Sequence, residues 1–335
     1  MRLRRPIGGR TIAVAMLALG VFALAAGCRD AVAQEPLRTD SLRVGKGFPS
    51  LFQFTPLDVG IEEGIFKKHG IEVEESAFAG DAKLQQAFAA GAIDLGIGSG
   101  PGMAFIAKGS PTLGVAEEAG RPLGITLAVL ASGPIKSLAD LKGKTASISS
   151  VGSQTEWMVR ELSRHQGWGP DGIKMVALGA VPAQLSALRT RQVDAVPFDI
   201  TTAYKLQAAG EVRILLKFGD IVEDYVNHVI YATNDVIAKR PGDVRKFLAG
   251  WFETIAFVKH NKAETVRIAS AALKIPAPIV GKVYDQTIAM LSDDGRFDPK
   301  GLAVLRQSFV DMNMLPRAPD MSTLYTEKFL PGTAP

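Results

Sequence analysis

Short apolar, β-branched runs alternate with stretches whose apolar positions recur at helical spacing through most of this chain. The pattern predicts a strand over 42–46, a helix over 56–68, a strand over 71–75, a helix over 81–90, a strand over 93–97, a helix from Pro101 and a strand over 112–116. Asp81 is a candidate N-cap, Leu84 and Phe88 share one face, and Gly91 stands where a C′ glycine belongs. An apolar strand over 124–130 then leads to a second series: strand 145–148, helix 153–165, strand 173–178, helix 182–190, strand 193–196, helix 201–209, strand 212–218. Strands alternating with helices imply an α/β fold with parallel, doubly wound sheets. The two series echo each other, since Gly70-Ile71-Glu72-Val73 and Gly172-Ile173-Lys174-Met175 each precede a helix and then an apolar strand containing Asp94 or Asp194. Two lobes of one design follow.

A further apolar strand over 229–232 precedes a helical tail. Val244, Phe247, Leu248, Trp251, Phe252, Ile255 and Val258 form one broad core stripe, and Asp298-Pro299 opens another helix with Leu302, Leu305, Phe309 and Met312 on one face. From Pro316 the chain is Pro-rich and polar, and no regular structure is expected. The resulting division is lobe 1 over 40–130, lobe 2 over 131–229, a return to lobe 1 with the helical tail over 230–315, and an irregular segment over 316–335.

The first residues change the picture of compartment and charge. Arg2, Arg4, Arg5 and Arg10 precede an apolar run over 11–26, the layout of a secretory signal peptide over 1–33, and the run is short for a membrane span of about 20 residues. Ala31-Val32-Ala33 offers cleavage before Gln34, with a lipoprotein exit at Cys28 as the alternative. Either product belongs in the periplasm. Cys28 is the one cysteine, so no disulfide framework exists. The net charge of +4 belongs to the leader, because residues 1–33 carry five Arg and one Asp, and the remainder is formally neutral. A neutral domain gives no footprint for nucleic acid or for a membrane surface.

Catalytic constellations are missing from the sequence. His69, His165, His228 and His260 lack ligand spacing, so no metal site is expected. Gly143-Lys144-Thr145 precedes a strand instead of opening a helix, which excludes a phosphate-binding loop. Gly96 to Gly102 places Pro101 where a dinucleotide loop needs its third glycine. No cofactor is expected.

Ligands of open α/β sheets bind outside the carboxyl ends of strands, and that rule selects four loops. They contain Lys46, Gly47 and Phe48; Ser99 and Gly100; Ser149, Ser150, Gly152, Ser153, Gln154 and Thr155; and Asp199. In the third loop Ser153 and Glu156 form a capping box at a helix start, where outward N–H groups, hydroxyls and the positive end of the helix dipole suit an anionic head group. Lys46, at the end of the first strand, adds a cation. Asp199 reads equally as a contact for a ligand amine and as an N-cap before Thr201.

In order along the chain, Gly64-Ile65-Phe66-Lys67-Lys68-His69-Gly70, Leu84 to Asp94, Ser137-Leu138-Ala139-Asp140-Leu141-Lys142-Gly143-Lys144, the 149–155 loop, Leu185 to Asp194 and Ser292 to Pro299 resemble the ABC-transporter solute-binding proteins of the sulfonate, taurine and nitrate class. The resemblance implies a two-lobed periplasmic binding protein of the second structural type, with two chain crossings between lobes and ligand contacts on the matching loops. The strand pattern puts those crossings near 128–133 and 227–232. It also implies a monomer that captures a small polar solute and delivers it to an ABC permease and its ATPase. Two rivals remain: an enzyme of the thiamin-pyrimidine-synthase type, which depends on a cysteine-rich iron motif that one cysteine cannot supply, and a periplasmic sensor or scaffold that binds a partner protein.

Overall fold

The computed structural model describes residues 41–333, so the expected leader and Cys28 lie outside the described residues. Among the described residues, ten strands run in the order β1 (Ser41–Lys46), β2 (Glu72–Ala77), β3 (Leu95–Ser99), β4 (Thr112–Ala119), β5 (Ile125–Leu130), β6 (Thr145–Ile148), β7 (Lys174–Ala177), β8 (Ala195–Asp199), β9 (Val212–Lys217) and β10 (His228–Thr233). They build two five-stranded sheets, ordered β2-β1-β3-β10-β4 and β7-β6-β8-β5-β9.

Each sheet is mixed, where the alternation alone implied a parallel one. β1 is parallel to β2 and β3, and β6 to β7 and β8, but β10 and β5 run antiparallel to both of their neighbours. Both exceptions are the first strand after the chain has crossed from the other sheet. Such a strand enters at the junction, beside the carboxyl ends of its neighbours: His228 pairs with Ser99, and Ile125 with Asp199. It has to run back the other way.

The crossings therefore correct the expected boundaries. The chain leaves the first sheet after Ala119 and enters the second at Ile125; it leaves the second after Lys217 and re-enters the first at His228. The strand that was expected to finish lobe 1 near residue 130 belongs to lobe 2, because an apolar strand buried on both faces carries no mark of which sheet it joins.

Helices follow the predicted periodicity with local differences. The expected helix over 56–68 divides into Pro56–Glu62 and Ile65–Lys68, because Gly64 adopts φ +68°, a left-handed conformation that stops the first segment. Asp81 is not a cap: helix Asp81–Ala89 begins after Gly80, and the Asp81 carboxylate turns to Ser99. The stripe from Val244 to Val258 is the buried face of helix Pro241–His260, packed against the first sheet with Phe52, Phe54 and Phe66. The expected helical tail also contains helices Asn234–Lys239, Lys262–Leu273 and Ala277–Thr287, for which no bounds were predicted. Asp298 caps helix Pro299–Asp311, whose Leu305 and Phe309 join a core that takes Phe88 and Tyr231 from one lobe and Ile148 and Trp157 from the other. Each fully buried side chain of this size contributes about 1.5–3 kcal/mol. The tail is held as well: Tyr325 bridges Gly114, and Phe329 and Leu330 are buried.

Candidate functional site

At the end of β6 the chain turns through Gly152 at φ +76° into helix Gln154–His165, the start that the sequence pattern predicts. The Ser153 hydroxyl accepts the Glu156 N–H at 3.4 Å. The Glu156 carboxylate bonds the Gly152 N–H at 2.6 Å, one residue earlier than a reciprocal capping box requires, and Arg160 holds its other oxygen. Ser149 bonds Thr155 through both its N–H and its hydroxyl at 3.0 Å, and Ser153 bonds the same threonine. Ser150 is exposed, and its hydroxyl has no partner among the described residues. This loop consequently has one uncommitted hydroxyl beside a helix N-terminus, with its other hydroxyls spent on internal order.

The first-lobe loops are more enclosed. Lys46 is 5 % exposed, and its ammonium is held by Asp58 at 2.9 Å and by Glu75 at 2.5 Å. Two carboxylates already answer one ammonium, so Lys46 is not the free cation that the sequence suggested. Burial pushes the Glu75 carboxyl upward against the pull of Lys46. The Gly47 N–H donates to Ile97 O at 2.8 Å, and Phe48 packs 6.3 Å from Phe54. Ser99 is buried; its N–H and hydroxyl both donate to Asp81, and its carbonyl accepts from the Tyr231 hydroxyl at 2.6 Å. Gly100 donates to Asn227 O at 2.8 Å, so closely that a Cβ would stand 1.9 Å from the Val226 carbonyl oxygen.

Asp199 resolves as a helix cap. Its Oδ1 accepts the Thr201 and Thr202 N–H groups at 3.0 and 3.1 Å, its Oδ2 accepts the Thr202 hydroxyl, and burial raises its pKa above the usual carboxylate value.

Several residues that join these loops escaped the sequence reading. Asn227 closes the second crossing: its N–H donates to Ala119 O, its carbonyl accepts from Gly100, and its Oδ1 receives the Gln154 amide at 2.5 Å. That contact brings a second-lobe loop against the re-entry into the first lobe. Beside it, the buried His228 ring meets Glu118 Oε2 at 3.1 Å and packs edge-on to Phe54 at 4.8 Å. Glu118 is completely buried, its Oε1 has no partner among the described residues, and burial raises its pKa. Trp157, one turn into the helix, stacks on Tyr225 of the second crossing at 4.6 Å. The sequence signal for this cluster was slight, a lone Asn-His pair before a strand.

Two mixed sheets of equivalent strand order, joined by two crossings, with strand-end loops meeting at the junction, define the fold of the periplasmic binding proteins. The chain belongs to the NMT1/THI5-like family, whose model matches residues 51–265. A protein of Brucella abortus (strain 2308) described as a binding protein is 25% identical over 240 residues, 70% of this chain and 73% of that one. A protein of Escherichia coli (strain K12) described as binding aliphatic sulfonates is 25% identical over 211 residues, 62% of this chain and 64% of that one. Among solved structures, the periplasmic aliphatic sulphonate binding protein SsuA from Escherichia coli shares the fold with a TM-score of 0.74 at 19% identity, over 86% of this chain and 92% of that one. The desulfurization enzyme DSZB also shares it, with a TM-score of 0.62 at 17% identity, over 87% of this chain and 97% of that one.

Proposed function

We propose that this protein is the periplasmic, non-enzymatic solute receptor of an ABC importer, a monomer that holds a small polar solute between its lobes and delivers it to the permease and its ATPase. The observation that carries the reading is the 149–155 loop, where the exposed Ser150 hydroxyl stands beside the N-terminus of a twelve-residue helix at the carboxyl end of a parallel strand. That arrangement favours an anionic head, sulfonate or carboxylate, and the sulfonate-binding relatives support the first. Lys46 and Asp199 leave the proposed contact set, because one is neutralised and the other caps a helix. Phe48 and the Gln154 amide remain in it as walls for the body of the solute. The shared fold of DSZB means that architecture alone does not decide against catalysis; relatives described as binding proteins favour the receptor.

Titration calorimetry with alkanesulfonates, taurine, nitrate and short carboxylates tests the proposal. A sulfonate or carboxylate should bind, raise the melting temperature, and bind Ser150→Ala roughly tenfold or more weakly, as loss of a charge-assisted hydrogen bond worth about 1.5–3 kcal/mol requires. An unchanged affinity in Ser150→Ala places the solute elsewhere, and no binding across the series removes the anionic head.

A further inference from the structure

Away from the strand-end loops, a groove of about 550 Å³ opens between helix Ile200–Ala208 of the second lobe and helix Ala277–Thr287 of the first. Its volume falls within the roughly 300–1,000 Å³ typical of small-molecule sites. Tyr204 and Gln207 stand on one wall, and Lys282, Asp285 and Gln286 on the other.

The charges of this groove are unequal. Asp285, its carboxylate, is already paired with Lys262 at 2.6 Å. Lys282 makes no ion pair among the described residues, and Lys217, outside the lining, donates to a neutral partner on it, the Gln286 side-chain oxygen. The half-buried Tyr204 hydroxyl has no partner among the described residues, and burial disfavours its ionised form, which keeps it a donor. One ammonium without a carboxylate, Lys282, thus lines the groove with a phenol and two side-chain amides, a second, Lys217, sits at its edge on Gln286, and the one lining carboxylate, Asp285, is paired with Lys262. Oxyanions are the ligands that such a donor set recognises.

We propose that this groove is a second binding site, for a small organic oxyanion carrying a phosphate or more than one carboxylate. Its walls come from different lobes, and Lys217 is the last residue of β9 before the second crossing. An occupant fastens the lobes at one angle beside the hinge. Linkage is then reciprocal: the anion changes the affinity of the strand-end loops for their solute by the factor by which that solute changes the affinity for the anion.

The test is calorimetry of the purified protein with inorganic phosphate and with citrate, at constant ionic strength. In Ser150→Ala, where carboxylate binding at the strand-end loops is weakened, one-to-one saturable binding of phosphate or citrate is expected, weakened a further tenfold or more when Lys282→Ala or Tyr204→Phe is added. A preference for phosphate or for citrate identifies which oxyanion the groove takes. Lys282 is exposed and Tyr204→Phe keeps the ring, so both variants retain the fold. The proposal is overturned if neither anion binds saturably, or if binding persists undiminished in the double variant. Because Ser150→Ala reports on the other site alone, failure of the solute-receptor reading and failure of this one are separately visible.

Discussion

Glu117, near the end of β4, is 5 % exposed and accepts the Asp298 N–H at 2.9 Å. Burial moves its carboxyl from an ordinary value of 4.5 to about 7, with Asp298, Glu118 and Asp294 adding repulsion. Between those values the folded chain binds more protons than the unfolded one, so this group's contribution to stability falls as pH rises from 4.5 to about 7. The full window amounts to about 3 kcal/mol. Glu117→Gln keeps an acceptor for Asp298 and removes the titration; urea unfolding should show it more stable than the wild type at pH 8, with the advantage shrinking at pH 5. Equal stability of the two proteins at both pH values refutes the assignment. Gly100→Ala acts through shape instead, since a methyl group 1.9 Å from the Val226 oxygen meets backbone. A loss of about 1–3 kcal/mol or more is expected, read as a lower urea midpoint. Neither residue stood out in the sequence for these reasons. Glu117 depends on a residue 181 positions away, and Lys46 is neutralised by carboxylates that no local pattern joins to it.

At the scale of elements, local chemistry was readable. Strand Thr145–Ile148 and the Ser153 helix start emerge where β-branched residues give way to a small-residue loop and a cap. Helices Lys262–Leu273 and Ala277–Thr287 fall within the expected helical tail but had no bounds of their own, and neither has an N-cap side-chain hydrogen bond to mark its start. Asp199 offered two readings because both place a carboxylate before Thr201, and only the three-dimensional position of the Thr201 and Thr202 N–H groups separates them. Asp199→Ala should lower stability by about 1 kcal/mol, as removal of a helix cap does, while changing solute affinity less than threefold. A tenfold loss of affinity without loss of stability restores it to the binding site.

At the scale of the molecule, the lobes are joined by more than their crossings. Gln154 bonds Asn227, Trp157 stacks on Tyr225, and Arg164 pairs with Asp311 at 3.0 Å. Gln154→Ala removes the amide contact nearest the proposed solute, and scattering should show a larger radius of gyration for the unliganded protein, with solute affinity lowered about fivefold. Identical scattering and affinity would retire the contact as a tie between lobes. The two-lobed plan was legible because the strand-helix alternation occurs twice. Which strands would reverse was not, since direction is set by where a crossing enters and not by composition.

The place of β10 has a consequence for synthesis. It lies between β3 and β4, pairing with both, so the first sheet has a gap next to its edge strand β4 until residues 228–233 exist. As the chain emerges N-terminus first, the whole second lobe follows while β4 still lacks a strand partner. Residues 41–119, which supply four of the five strands, keep exposed hydrogen-bonding edges throughout that interval. Completion of the first lobe therefore waits for the strand that follows the second.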